Sequence, residues 1–317
     1  MELSGFDGVG AVVGVSDRGR RSTAATGVAV DMPFRIASLT KTVTAAATVR
    51  ALQDKGFGLD QAVAGILTEL EAGVPAGSLA ELTAGVPAGS LAEVEAGVSA
   101  GVTVGQVLAQ CTGFRESVEA SVVAGLGDGD DVFLAAAKLV IGGGQEYPPG
   151  ERWAYYNGNY FLAGALLERL TGDTFEDALG DLISLVGLKS TSFEPAGSYP
   201  RARRPSGGLW STVPDLLSFC EFLLQDKGLL AEISTPRVST PLSYGLGWAV
   251  GPAGMLYVNG RLPGYRAAML LSPGDEWAAA MLVNDTDALP AIAEYLDELQ
   301  RPLTGVPMAG MIDAFAA

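Results

Sequence analysis

The 317-residue chain carries 20 basic and 36 acidic side chains, a formal net charge of −16, with 48% apolar residues. Such a surface repels nucleic acid and anionic membrane, and the apolar fraction suits a folded globular protein with a sizeable core. The chain has no histidine, which excludes Ser-His-Asp and Cys-His hydrolases and histidine-ligated zinc enzymes; a serine nucleophile here needs lysine or tyrosine as its base.

Residues 1–7 (MELSGFD) show neither a basic n-region nor an apolar h-region, and no stretch approaches the roughly 20 apolar residues of a membrane span. The expectation is a cytoplasmic protein without a membrane partner. Cys111 and Cys220 lie far apart and form no CxxC, so a reduced pair is expected.

In chain order, residues 9–16 and 24–30 are short apolar runs joined by Asp17-Arg18-Gly19-Arg20-Arg21, predicting a β-hairpin with a longer polar loop. Phe34-Arg35-Ile36-Ala37-Ser38 leads into an Ala/Thr/Val-rich helix from near Ser38 to Asp54, stopped by Lys55-Gly56. Residues 73–96 hold a tandem twelve-residue repeat, GVPAGSLAELTA and GVPAGSLAEVEA, expected to be a surface insertion without chemistry. Apolar spacing near 3.6 predicts helices over 104–110, 131–141, 159–171, 174–185 and 213–225. Strand character returns at 255–259, 266–271 and 277–283, with Pro-Gly pairs between them, and an amphipathic helix covers 286–300.

The predicted class is α+β: one antiparallel sheet built from both ends of the chain (1–50 and 240–300), a mainly helical region inserted at 51–239, and a tail at 301–317.

Three positions bear chemistry. Ser38-Leu39-Thr40-Lys41 places a hydroxyl and an amine at i and i+3 of a helix start, where they share a face, and burial lowers a lysine pKa. Tyr155-Tyr156-Asn157 sets a phenol and an amide beside each other after the Pro148-Pro149-Gly150 loop. Val258-Asn259-Gly260-Arg261 is a strand whose glycine lets a substrate backbone approach and whose next N–H can point into a cleft. Each alone has an ordinary structural reading: a helix cap, a packed aromatic loop, a strand and turn.

Their order and spacing resemble the serine β-lactamase and penicillin-binding-protein superfamily, in its branch of class C β-lactamases, D-Ala-D-Ala carboxypeptidases and esterases. Residues 102–114, the run Gly207-Gly208-Leu209-Trp210-Ser211-Thr212 with Asp215, and Tyr244-Gly245-Leu246-Gly247-Trp248 extend the likeness across nearly the whole chain.

The resemblance implies a β-lactamase/transpeptidase-like fold, with no cofactor and no metal. It implies Ser38 as nucleophile, Lys41 and Tyr155 as proton-handling partners, and Asn157 holding substrate or positioning Lys41. Val258, Asn259 and Gly260 would line the substrate, and the backbone N–H groups of Ser38 and Arg261 would form the oxyanion hole. Val258 departs from the usual Lys or His, which argues against a carboxylate-bearing substrate unless Arg261 or Arg266 substitutes. Gln110 lies in a segment that also departs, and no chemistry is assigned to it. The expected function is a serine hydrolase or acyltransferase acting on a small ester or amide. A biosynthetic transacylase and a catalytically silent binding relative are the alternatives, and the oligomeric state is left open.

Overall fold

A computed structural model describes residues 2–3, 5–68, 101–193 and 199–315, so the repeat at 73–96 lies outside the described residues. The main sheet has six antiparallel strands: β1 (Ala11–Asp17), β2 (Arg20–Thr26), β6 (Ala249–Val250), β7 (Leu256–Leu262), β8 (Tyr265–Ser272) and β9 (Trp277–Val283), in the order β2-β1-β9-β8-β7-β6. The pairing of β1 with β9 joins the two ends of the chain into one sheet. A small second sheet orders β3 (Phe34–Arg35), β5 (Leu209–Ser211) and β4 (Ser192–Phe193) as β3-β5-β4.

The composition of the strands follows their depth. The interior strands β8 and β9 read YRAAMLLS and WAAAMLV, nearly continuous apolar runs, because both faces are covered. The edge strand β2 reads RRSTAAT and has its first four residues exposed. The hairpin loop expected at 17–21 is in fact a two-residue turn, Arg18-Gly19, with φ of 47° and 77°. Arg20 and Arg21 belong to the strand, because an exposed edge strand carries charge without loss of pairing.

The register sorts the side chains into two faces. Gly14, Ala280, Met269, Val258 and, by alternation, Gly260 share one. The helix Val213–Gln225 lies there, so close that a Cβ on Gly14 would stand 2.5 Å from Val213 Cγ1. The predicted helical region is therefore not wholly separate from the sheet. Tyr257, Asn259 and Arg261 share the opposite face, which carries the helices Leu289–Thr304 and Ala309–Ala314. The tail docks: Met308 N–H donates to the buried Asp297 carboxylate at 2.5 Å, and Gln300 Nε2 donates to the Val306 carbonyl.

Beside the sheet, helix Thr40–Asp54 packs on helix Asn157–Thr171, which is buried from Gly158 through Leu167. Cys111 and Cys220 are both buried free thiols. Among the described residues, no helix is long and apolar enough to cross a membrane.

Candidate active site

Ser38 sits in a 3-10 turn, Ala37–Leu39, that runs directly into helix Thr40–Asp54. Ala37, the residue before it, has a φ of 48°, in the left-handed region. A non-glycine residue held there costs about 1–3 kcal/mol and persists only where its surroundings fix it. Here the Ile36 N–H donates to the Leu209 carbonyl, and the Leu209 N–H donates to Thr40 Oγ1. The turn is clamped to β5 on both sides of the strained residue.

Lys41 is 1% exposed, and its Nζ lies 3.1 Å from Ser38 Oγ, 2.8 Å from Tyr155 Oη and 2.7 Å from the Ser206 carbonyl oxygen. Ser38 Oγ and Tyr155 Oη are hydrogen-bonded at 2.6 Å, which closes a triangle. Burial pushes the Lys41 amine well below the ordinary lysine range, and the nearby Arg203 guanidinium adds to the effect. Burial moves the Tyr155 phenol the other way, to about 12, although the Ser38 hydrogen bond opposes it. The phenol thus keeps its proton near neutrality, and the amine is the group able to give up its own. With a neutral amine the triangle closes as a ring: Ser38 O–H donates to Nζ, an Nζ–H donates to Tyr155 Oη, and Tyr155 O–H donates to Ser38 Oγ. The other amine hydrogen goes to the Ser206 carbonyl.

Tyr155 is held by Gln110, a residue assigned no chemistry from its letter alone. The Gln110 carbonyl accepts from Ala154 N–H, and its Oε1 accepts from Tyr156 N–H and Asn159 Nδ2, so Gln110 brackets Tyr155 on both sides. Gln110 has a φ of 58°, a conformation no sequence pattern announced. Asn157 stands half-buried in the first turn of helix Asn157–Thr171. It is not among the groups that hold Lys41; the Ser206 backbone carbonyl takes that part, and a main-chain acceptor leaves no mark in side-chain pattern.

Strand β7 presses against the turn that carries Ser38. A Cβ on Gly260 would meet the Ile36 carbonyl oxygen at 2.5 Å and Ser38 N at 3.0 Å. The space left by this glycine is filled by the chain's own residues 36–38, rather than by a substrate backbone as the sequence led us to expect. Leu262 and Tyr265 flank the two-residue Pro263-Gly264 turn, as the hydrogen-bonded pair that closes such a hairpin. The next pair, Arg261 with Arg266, is then non-hydrogen-bonded, and the Arg261 N–H points away from β8. On that side β6 pairs with Leu256 and Tyr257, and among the described residues the remainder of β7 is an open sheet edge.

Val258 is 2% exposed on the Gly260 face, whereas Arg261 and Arg266 lie on the opposite one. Arg266 also donates to the Thr286 carbonyl. Neither arginine can therefore stand in for a cation at position 258. Asn259 is buried, with Nδ2 donating at 2.7 Å to the carbonyls of both Ile312 and Phe315.

Gly260→Ala is expected to lower kcat/KM for an activated ester about 10²-fold. The new methyl must displace backbone at Ile36 and Ser38, and loss of one oxyanion donor costs about that much. Steady-state kinetics with p-nitrophenyl butyrate checks it.

The beta-lactamase family model matches residues 4–300 of the chain. Protein flp of Staphylococcus aureus (strain MW2) is 22% identical over 233 residues, 62% of this chain and 46% of that protein. Penicillin-binding protein 4 of Amycolatopsis lactamdurans is 25% identical over 256 residues, 65% of this chain and 66% of that protein. The chain thus spans about half the length of protein flp and about two thirds of penicillin-binding protein 4. A solved structure of a D-stereospecific amidohydrolase from Streptomyces sp. superposes with a TM-score of 0.66 at 22% identity, covering 95% of both chains, which shows the shared fold.

Proposed function

The chain belongs to the beta-lactamase family, and from that premise we propose that it is a serine hydrolase working through an acyl-enzyme on Ser38, with an uncharged small ester or amide as acyl donor. The observation that carries this reading is the buried triangle of Ser38, Lys41 and Tyr155, whose members lie 2.6–3.1 Å apart.

The geometry supports the following steps. Ser38 Oγ attacks the acyl carbonyl while Lys41 Nζ takes the serine proton, and a bond forms between Oγ and the carbonyl carbon. The oxyanion faces the N–H groups of Ser38 and Arg261. When the ester C–O or amide C–N bond breaks, the leaving group takes a proton from Tyr155, which Lys41 replenishes across 2.8 Å. Water, or another nucleophile in a transacylation, then bonds to the acyl carbon and gives its proton to the same pair; as the Oγ–acyl bond breaks, that proton returns to Ser38 Oγ. Val258, apolar and buried, supplies no cation for a carboxylate, which supports the choice of an uncharged donor.

Intact-protein mass after exposure to a fluorophosphonate tests the reading, alongside p-nitrophenyl butyrate turnover. One adduct and ester cleavage are expected in the wild type, and both are expected to vanish in Ser38→Ala. A folded wild type that takes no label and cleaves nothing would leave the non-catalytic reading in its place.

A further inference from the structure

Phe315 is 3% exposed, and its ring is enclosed by four aromatic side chains. Tyr244 stacks on it at 5.9 Å, Tyr257 meets it edge-on at 5.7 Å, Trp153 lies at 6.0 Å and Tyr155 at 6.5 Å, edge-on. Tyr155 is the same side chain whose hydroxyl touches Ser38, so one residue separates this recess from the nucleophile. The main chain that brings Phe315 here is bound as well: both hydrogens of the buried Asn259 amide go to its carbonyls, at residues 312 and 315. Asn259 lies on β7, beyond the point where β6 stops pairing, beside the open edge that leads to Arg261 N–H.

We propose that Trp153, Tyr155, Tyr244 and Tyr257 form a subsite for an aromatic side chain of a peptide-like acyl donor, and that residues 312–315 occupy it in the way such a donor does. The inference rests on the acyl-transfer reading above and names the substrate class for that site.

Two independent features carry it. Flat rings set at stacked and edge-on angles select an aromatic occupant over an aliphatic one. The two Asn259 hydrogens are met by main-chain carbonyls, a pattern that an occupant with amide carbonyls of its own reproduces. A simple fatty ester meets neither demand, and an N-acylated aromatic amino-acid or peptide ester meets both. The part of the tail that fills the recess lies beyond its anchor: Met308 is tied to Asp297, and the short helix 309–314 follows it. A donor without a side chain reaches Ser38 with Phe315 in place, whereas an aromatic donor must displace it.

The test compares p-nitrophenyl esters of N-acetyl-phenylalanine and N-acetyl-glycine, in both enantiomers of the former, on wild type and Phe315→Ala. The ratio of kcat/KM for the phenylalanyl over the glycyl ester is expected to rise at least tenfold in Phe315→Ala. N-acetyl-phenylalaninamide is expected to inhibit that variant at least tenfold more tightly than the wild type. Phe315→Leu, which keeps most of the volume, serves if Phe315→Ala does not fold, with the same direction expected. A ratio and an inhibition constant both unchanged in a folded variant would show that Phe315 only fills the core, and would overturn the subsite. Fluorophosphonate labelling of Ser38 in the same variants separates the two levels: label with an unchanged ratio overturns the subsite alone, and no label overturns the acyl-enzyme reading with it.

Discussion

Lys41→Met is expected to lower kcat/KM for an activated ester by about 10³–10⁴-fold while leaving the fold intact. The loss follows from the geometry, because Nζ lies 3.1 Å from Ser38 Oγ and burial lowers its hold on a proton, whereas the Tyr155 phenol is held up at about 12. General-base removal accounts for roughly 10²–10⁴, and the missing histidine leaves no substitute. Stability moves differently. In the unfolded chain the lysine is protonated below its ordinary pKa of about 10.4, whereas the folded site holds that pKa far lower. Folding therefore expels a proton across that window, and wild-type stability falls as pH drops from about 10 toward the folded pKa. Methionine has no such linkage. The variant is accordingly expected to gain on the wild type as pH is lowered from 10 to 7, against which stands the Ser206 carbonyl left without its donor. Denaturant unfolding of both proteins at the two pH values measures the difference. A gap moving in the wild type's favour at pH 7 would mean that Lys41 is held as an ammonium.

Tyr155→Phe is expected to cost about 10³-fold in kcat/KM, within the range for a positioned proton donor. The phenylalanine ring keeps the aromatic contacts with Trp153 and Phe315, so the change isolates the hydroxyl. Without it the ring of hydrogen bonds opens, Ser38 Oγ loses its 2.6 Å partner, and the leaving group loses its nearest acid. The defect should be larger for an alkyl ester than for a p-nitrophenyl ester, because a phenolate leaving group needs little protonation. Equal losses on both substrates would assign Tyr155 to holding Ser38 in place rather than to proton delivery.

The sheet and the larger helices were legible because their periodicity is clean. Strands Tyr265–Ser272 and Trp277–Val283 read as nearly continuous apolar runs, and helix Val213–Gln225 matches its predicted span. The start of edge strand β2, Arg20 and Arg21, was read as loop because exposure on an edge makes composition polar without breaking the ladder. Ser38 and Lys41 were legible from an i, i+3 spacing that survives even though Ser38 lies in a 3-10 turn ahead of the helix that carries Lys41. What stayed hidden has no side-chain signature or has a misleading one. The Ser206 acceptor is a backbone atom, and the left-handed Ala37 and Gln110 are ordinary letters in unusual conformations. Phe315 sits in a Gly- and Ala-rich tail with no period to reveal that it docks.

The rate of Ser38 acylation by a fluorophosphonate as a function of pH tests the central claim most directly, that a buried neutral Lys41 activates the serine. Protonation of Lys41 removes the base, so the rate is expected to fall as pH drops through the folded pKa and to reach its plateau far below the ordinary lysine range. Lys41→Met should lose that inflection along with most of the rate. A rate still climbing near pH 10.5, or the wild-type profile persisting in Lys41→Met, would contradict the account.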